Sequence, residues 1–95
     1  MAFHGPFLSL FLYKKTDLSP SQFSFSVSKK VAARAVSRNA LRRRGYATLA
    51  RKIDLIQPGY YCMFSFKKGA SGMTSADTAE QVIFLLRKAG LVSAD

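Results

Sequence analysis

Nine cations occupy one stretch of this 95-residue chain: Lys29, Lys30, Arg34, Arg38, Arg42, Arg43, Arg44, Arg51 and Lys52, with no Asp or Glu among them. Five of the seven arginines lie between Arg34 and Arg44. A guanidinium presents a planar fork of donors that matches phosphate oxygens bidentately, which a lysine ammonium cannot do. If the segment is helical throughout, Lys30, Arg34, Arg38 and Arg42 fall at spacing four and form one ridge, with Arg43 and Arg44 spreading charge to neighbouring sides. Asn39 lies inside the run, and its amide can both donate to and accept from a base edge or a neighbouring group. The chemistry offered is therefore binding of a phosphate polymer, with Lys29, Lys30, Arg34, Arg38, Asn39, Arg42, Arg43 and Arg44 as candidate contacts. No catalytic constellation accompanies them. His4 has no Ser, Cys or carboxylate grouping around it, Cys62 sits in an apolar run where a cysteine is usually a small core residue, and no clustered carboxylates could hold two metals.

The whole chain repeats this bias. Fifteen Lys and Arg against five Asp and Glu give a formal charge of +10, which repels itself unless a polyanion is near. Nucleic acid is the partner expected, with no small-molecule substrate and no cofactor bound by the protein itself. The composition is 48% hydrophobic with eight Phe and four Tyr, enough apolar surface for a packed core and far from that of disordered chains. Such a length suits one domain spanning residues 1–95. A single cysteine makes neither an internal disulfide nor a zinc site, so a reduced, cytoplasmic setting is expected. The one apolar run near the start, Phe7 to Tyr13, is too short to span a bilayer and lacks a preceding basic region.

These basic residues must be positioned by ordered elements. Phe7 to Tyr13 reads as a strand, with Leu8, Leu10 and Leu12 on the core side and Phe7, Ser9, Phe11 and Tyr13 on the other. Phe23 to Ser28 alternates apolar and hydroxyl residues, the period-two signature of a strand with one buried face. Phe23, Phe25 and Val27 are expected to face the core beside the leucines of the first strand. From about Val31 to Lys52 the residues favour helix, the Lys29–Lys30 end being open to a loop reading; Gly45 weakens its middle by about 1 kcal/mol and marks either a kink or a packing contact. Pro58-Gly59 breaks the chain before a third strand, Tyr60 to Phe66. Thr74 and Asp77 are spaced as a capping box, followed by Ala79, Val82, Ile83, Leu85 and Leu86 in an apolar stripe. Opposite the core, Phe7, Phe11 and Tyr13 are expected to stand beside Ser24, Ser26 and Ser28 as a trough of rings over hydroxyls, where single-stranded bases could stack.

Ser26-Val27-Ser28-Lys29-Lys30-Val31, followed by Ala35-Val36-Ser37-Arg38-Asn39-Ala40-Leu41-Arg42-Arg43, resembles the signature of the bacterial ribonuclease P protein, S-x-K-K at a strand end and A-x-x-R-N-R-x-K-R in the next helix. Tyr61 to Lys68 is similar to that family's next strand, which ends in a basic pair, and Thr74 to Lys88 to its last helix. The resemblance implies an α+β two-layer sandwich: a small β-sheet with two helices on one face, in β-β-α-β-α order, with a left-handed βαβ crossover that general handedness rules would not have suggested. It further implies a subunit that does no chemistry. The partner RNA holds Mg²⁺ and removes the 5′ leader of precursor tRNA, while one protein per RNA contacts the catalytic RNA and the leader. Carried onto this sequence, Arg38, Asn39, Arg42 and Arg43 belong at the RNA interface and Lys29 and Lys30 in the turn before the helix. Phe11 falls where the family places an aromatic residue in its leader-binding cleft, so the trough that alternation builds from Phe7, Phe11, Tyr13 and Ser26 is the expected path of the leader.

Three departures accompany the match. Ala40 replaces the second arginine of the R-N-R core, with Arg44 as the nearest substitute. Gly45 stands where the family helix usually continues with an apolar residue. The family's N-terminal helix has no counterpart before the first strand, so a reduced member or an incomplete chain is expected. A ribosomal or other structural RNA-binding protein is the main alternative, because charge alone does not separate the two. A DNA-binding module reading the major groove with the Arg34–Arg44 helix is weaker, since neither a helix-turn-helix pair nor a zinc finger is legible.

Overall fold

Three hydrophobic runs with different patterns decide which side of the sheet is buried. A computed structural model describes residues 1–92. The elements are β1 (Ala2–His4), β2 (Leu8–Lys14), β3 (Gln22–Ser26), α1 (Ala35–Lys52), β4 (Tyr60–Phe66) and α2 (Ser75–Lys88), with short 3₁₀ turns at Ile53–Leu55 and Ala70–Gly72. They form one four-stranded sheet in the order β1-β2-β4-β3. β2 pairs antiparallel with β1 and β4, while β3 pairs parallel with β4. Parallel neighbours need a crossover, and α1 supplies it between β3 and β4.

The expected α+β sandwich is present, with two corrections to its order. A short strand, β1, precedes the first strand read from sequence, so the order is β-β-β-α-β-α. β4 also lies between β2 and β3, so the core rings of β3 face β4 rather than the leucines of β2. The physical reason is that β2 and β3 are joined by a loop stapled to the β4 entrance: Ser21 Oγ donates to the Gln57 carbonyl at 2.7 Å, and the Tyr60 and Gly59 amides donate to Ser21 Oγ and the Ser19 carbonyl at 3.1 and 2.8 Å. That staple holds the start of β3 against β4 and opens the place beside β2 for β4.

Leu8 and Leu10 of β2, Phe25 of β3, and Cys62, Phe64 and Phe66 of β4 are buried against Leu41, Gly45 and Leu49 of α1 and Val82, Leu85 and Leu86 of α2. Both helices therefore cover one face. Phe25 is central: its ring stacks on Phe64 at 4.9 Å and meets Tyr46 edge-on at 4.9 Å. A Cβ at Gly45 would lie 2.5 Å from the Phe25 ring, so this glycine is the packing contact and not a kink. The helix gives up some propensity there to let the ring touch its backbone. Two buried hydroxyls are satisfied within their own helices, Thr48 and Thr78 donating to the carbonyls of Arg44 and Thr74.

α2 starts where the sequence placed it. Thr74 and Asp77 form a reciprocal capping box at 3.1 Å in both directions. α1 starts later than expected. Lys29, Lys30 and Val31 form a turn in which the Val31 and Ala32 amides donate to the Ser28 carbonyl, and Ala32 is buried. Arg34 is the extended residue that opens the helix. Among the described residues no helix is long and apolar enough to cross a membrane.

Candidate nucleic-acid interface

The later start of α1 breaks the expected ridge. Lys29 and Lys30 are exposed in the turn and Arg34 at the helix opening, so only Arg38 and Arg42 keep helical spacing four. The cations still crowd one end of the molecule, spread over a turn and the first turns of a helix.

Their side chains divide into two groups. Arg38 reaches back along the chain, its Nη1 donating to the carbonyls of Ala32 at 3.0 Å and Ala33 at 2.8 Å, which closes the turn before the helix. Arg44 reaches across to the segment before α2 and donates to the Met73 carbonyl at 2.8 Å. These two arginines tie the fold together as well as carrying charge. Arg42 donates to Asn39 Oδ1 at 2.6 Å, which fixes both groups on the same side of the first turns. Lys29, Lys30, Arg34 and Arg43 are exposed.

The uncovered face of the sheet is the second feature. Register aligns its residues in cross-strand rows: Phe11 with Met63 and Ser24, Ser9 with Ser65 and Ser26, and Tyr13 with Tyr61 and Gln22. Rings and hydroxyls do share this face, but β4 separates them, so Phe11 and Tyr13 do not stand directly beside Ser24 and Ser26. Tyr61 and Met63, each close to half exposed, fill the space between. Together with Tyr13, Gln22 and Ser24 they line a depression of about 400 Å³. Lys15 Nζ lies over the Tyr61 ring at 5.0 Å and adds a cation to this rim.

Phe7 is not part of the face. The chain bends through Pro6 and Phe7 before β2 begins, and Phe7 lies with Met73, Asp77, Glu80 and Gln81 beside α2. Alternation within a strand does not extend to a residue outside it. Tyr61 and Met63 were missed as site residues because they become neighbours of Phe11 only through the strand order. Their own alternation with the buried Cys62, Phe64 and Phe66 was the available signal. His4 belongs to β1, where its Nδ1 lies 2.8 Å from Ser9 Oγ and its ring meets Phe11 edge-on at 6.4 Å. Cys62 is buried in the core, and loss of solvent pushes the pKa of its thiol up to about 12. No group of three or more metal-binding side chains occurs among the described residues.

Basic turn and open face are continuous. β3 carries Ser24 and Ser26 on the open face and then runs directly into Ser28, Lys29 and Lys30.

Comparison with known proteins places this arrangement. The chain is 41% identical over 59 residues to the ribonuclease P protein component of Synechococcus elongatus, a match covering 62% of this chain and 48% of that protein. It thus spans about half the length of that relative. In fold it is similar to the ribonuclease P protein of Staphylococcus aureus, with a TM-score of 0.88 at 17% identity over 98% of this chain and 84% of that one. The Thermotoga maritima ribonuclease P protein gives a TM-score of 0.83 at 18% identity, covering 93% of this chain and 82% of that one. The family model for ribonuclease P matches residues 2–90, and the chain therefore belongs to the ribonuclease P protein family.

Proposed function

We propose that this chain works as the protein subunit of ribonuclease P: it binds the catalytic RNA and the 5′ leader of precursor tRNA, and the RNA, with its Mg²⁺, cuts the leader away. The observation that carries this reading is the junction at the end of β3, where an open face bearing Phe11, Tyr13, Tyr61 and Met63 passes into the cation-rich turn and first turns of α1. Phosphate contacts supply affinity without reading sequence, and exposed rings accept unpaired bases of any identity. A subunit serving many precursors needs both. In this reading Lys29, Lys30, Arg34, Arg42 and Arg43 meet phosphates, Asn39 is oriented by Arg42, Arg38 and Arg44 contribute charge while holding the fold, and Phe11, Tyr13 and Ser26 belong to the leader's path. One protein serves one RNA.

The test is equilibrium binding to ribonuclease P RNA across a salt series, with an unrelated folded RNA of equal length for comparison. Tighter binding to the ribonuclease P RNA is expected, with a log–log salt slope made shallower by about 0.7–0.9 for each phosphate contact removed in the Arg34→Ala/Arg42→Ala/Arg43→Ala variant. Equal affinity for both RNAs would favour a general RNA-binding protein, and an unchanged slope would remove these arginines from the interface.

A further inference from the structure

The outer side of α2 is unlike the rest of this basic molecule. Asp77 and Glu80 lie in its N-terminal half, and Arg87 and Lys88 in its C-terminal half. Between them Phe84 is 46% exposed. Positions 77, 80, 84, 87 and 88 fall on one stripe of a helix with 3.6 residues per turn. Beside the stripe Pro6, Gln81 and Ile83 join Glu80, Phe84 and Arg87 in lining a groove of about 530 Å³.

Glu80 and Arg87 have no opposite charge at helical spacing, whereas Asp77 is held in the capping box with Thr74. Lys88 Nζ lies 5.6 Å over the Phe84 ring and donates to the His4 carbonyl at 3.3 Å. The positions three and four away from Glu80 hold Ala76, Asp77, Ile83 and Phe84, so its charged helical neighbour is another acid. Arg87 has Ile83, Phe84, Gly90 and Leu91 at the same offsets, with no acid among them. The signs suit the helix macrodipole, negative near its N-terminus and positive near its C-terminus. That effect does not account for Phe84, whose ring stays 46% exposed midway between the two charge groups even with Lys88 Nζ over it.

We infer that α2 docks against α2 of a second copy of this chain, antiparallel about a two-fold axis close to Phe84. Reversing a helix whose first half is negative and second half positive brings unlike charges together, so the stripe is complementary to itself. In face-to-face antiparallel packing Glu80 of each protomer meets Arg87 of the other on one flank of the axis. Lys88 lies on the opposite flank, on the side of the partner's Asp77, with its ammonium over the Phe84 ring of its own protomer. Phe84 stacks near its own copy at the centre and closes the groove that Pro6 and Ile83 line. Such an isologous contact uses one patch twice and closes as a dimer. α2 packs over β1 and β2 while α1 packs over β3, so both basic turns and both open sheet faces stay accessible. Each protomer can then hold its own RNA.

Two chains of charge +10 repel each other. Salt near physiological strength screens that long-range term over about 8 Å while the close pairs persist. The contact is small, of the size found in weak, reversible complexes. The experiment is sedimentation equilibrium on the full chain without RNA at physiological salt, from low to high micromolar protein, with circular dichroism to verify folding of every variant. A concentration-dependent monomer–dimer equilibrium is expected. Glu80→Arg and Arg87→Glu should each raise the dissociation constant by about tenfold or more, as losing close interfacial charge pairs does. Mixing the two variants should restore a heterodimer, because each contact then pairs one cation with one anion. Phe84→Ala should also weaken the dimer. A wild-type protein monomeric throughout the range would overturn the inference. So would a mixture that associates no better than its parts, or a dimer weakened by Phe11→Ala and indifferent to the α2 variants.

Discussion

Gly45 shows how a single position can look like a defect in sequence and be a contact in the fold. Alanine there gains about 1 kcal/mol of helix propensity, but its Cβ would sit 2.5 Å from the Phe25 ring. That ring is held by Phe64 on its face and Tyr46 at its edge, so it has little room to withdraw. Gly45→Ala is expected to destabilise the protein by a net of about 1–3 kcal/mol, the usual cost of overpacking a core. Urea unfolding measures it, and a more stable variant would show that the ring yields. The sequence marked Gly45 as unusual, yet its partner lies across the helix–sheet interface, which no local pattern reveals. The arginines teach the same lesson. Arg38 and Arg43 read alike in sequence, but Arg38 is bonded to two backbone carbonyls and Arg43 is exposed. Arg43→Ala should weaken RNA binding and leave stability unchanged. Arg38→Ala should weaken binding and also cost about 1–2 kcal/mol of stability, since it removes charge-assisted hydrogen bonds. Paired binding and unfolding measurements separate them, and equal stability losses would mean that the two side chains are not divided in this way.

Local patterns were legible at the level of elements because their causes are local. The capping box of Thr74 and Asp77, the stripe of Val82, Leu85 and Leu86, and the alternation of Phe23 and Phe25 all depend on residues a few positions apart. β1 escaped notice because three residues carry no readable period. The place of β4 between β2 and β3 escaped because strand order depends on pairing and loop staples between distant segments. The correction changes the site: Tyr61 and Met63 now adjoin Phe11, and Phe7 leaves the face. Phe11→Ala and Tyr61→Ala are each expected to weaken binding of leader-bearing precursor tRNA by about 1–3 kcal/mol, the range for loss of one base–ring stack. Affinity for mature tRNA should hardly change. Phe7→Ala should leave leader binding intact. Equal losses for leader-bearing and leaderless tRNA would remove the open face as the leader's path.

Across the whole molecule, charge and topology act together. A chain of +10 gathers many of its cations at one end of α1 and in the turn before it, beside an uncovered sheet face, while both helices cover the opposite face. A polyanion held there relieves the self-repulsion that the free protein carries. In the proposed enzyme, the protein's cations take over part of the screening of RNA phosphates that Mg²⁺ would otherwise supply. The benefit should therefore be greatest when Mg²⁺ is scarce. The most direct measurement is cleavage of precursor tRNA by ribonuclease P RNA at low Mg²⁺, with and without this protein. The account predicts a marked rise in leader removal at the mature 5′ end when the protein is added, reduced by Arg42→Ala/Arg43→Ala. The same RNA cleaving equally well without the protein, or cleaving no faster when the protein is demonstrably bound, would contradict it.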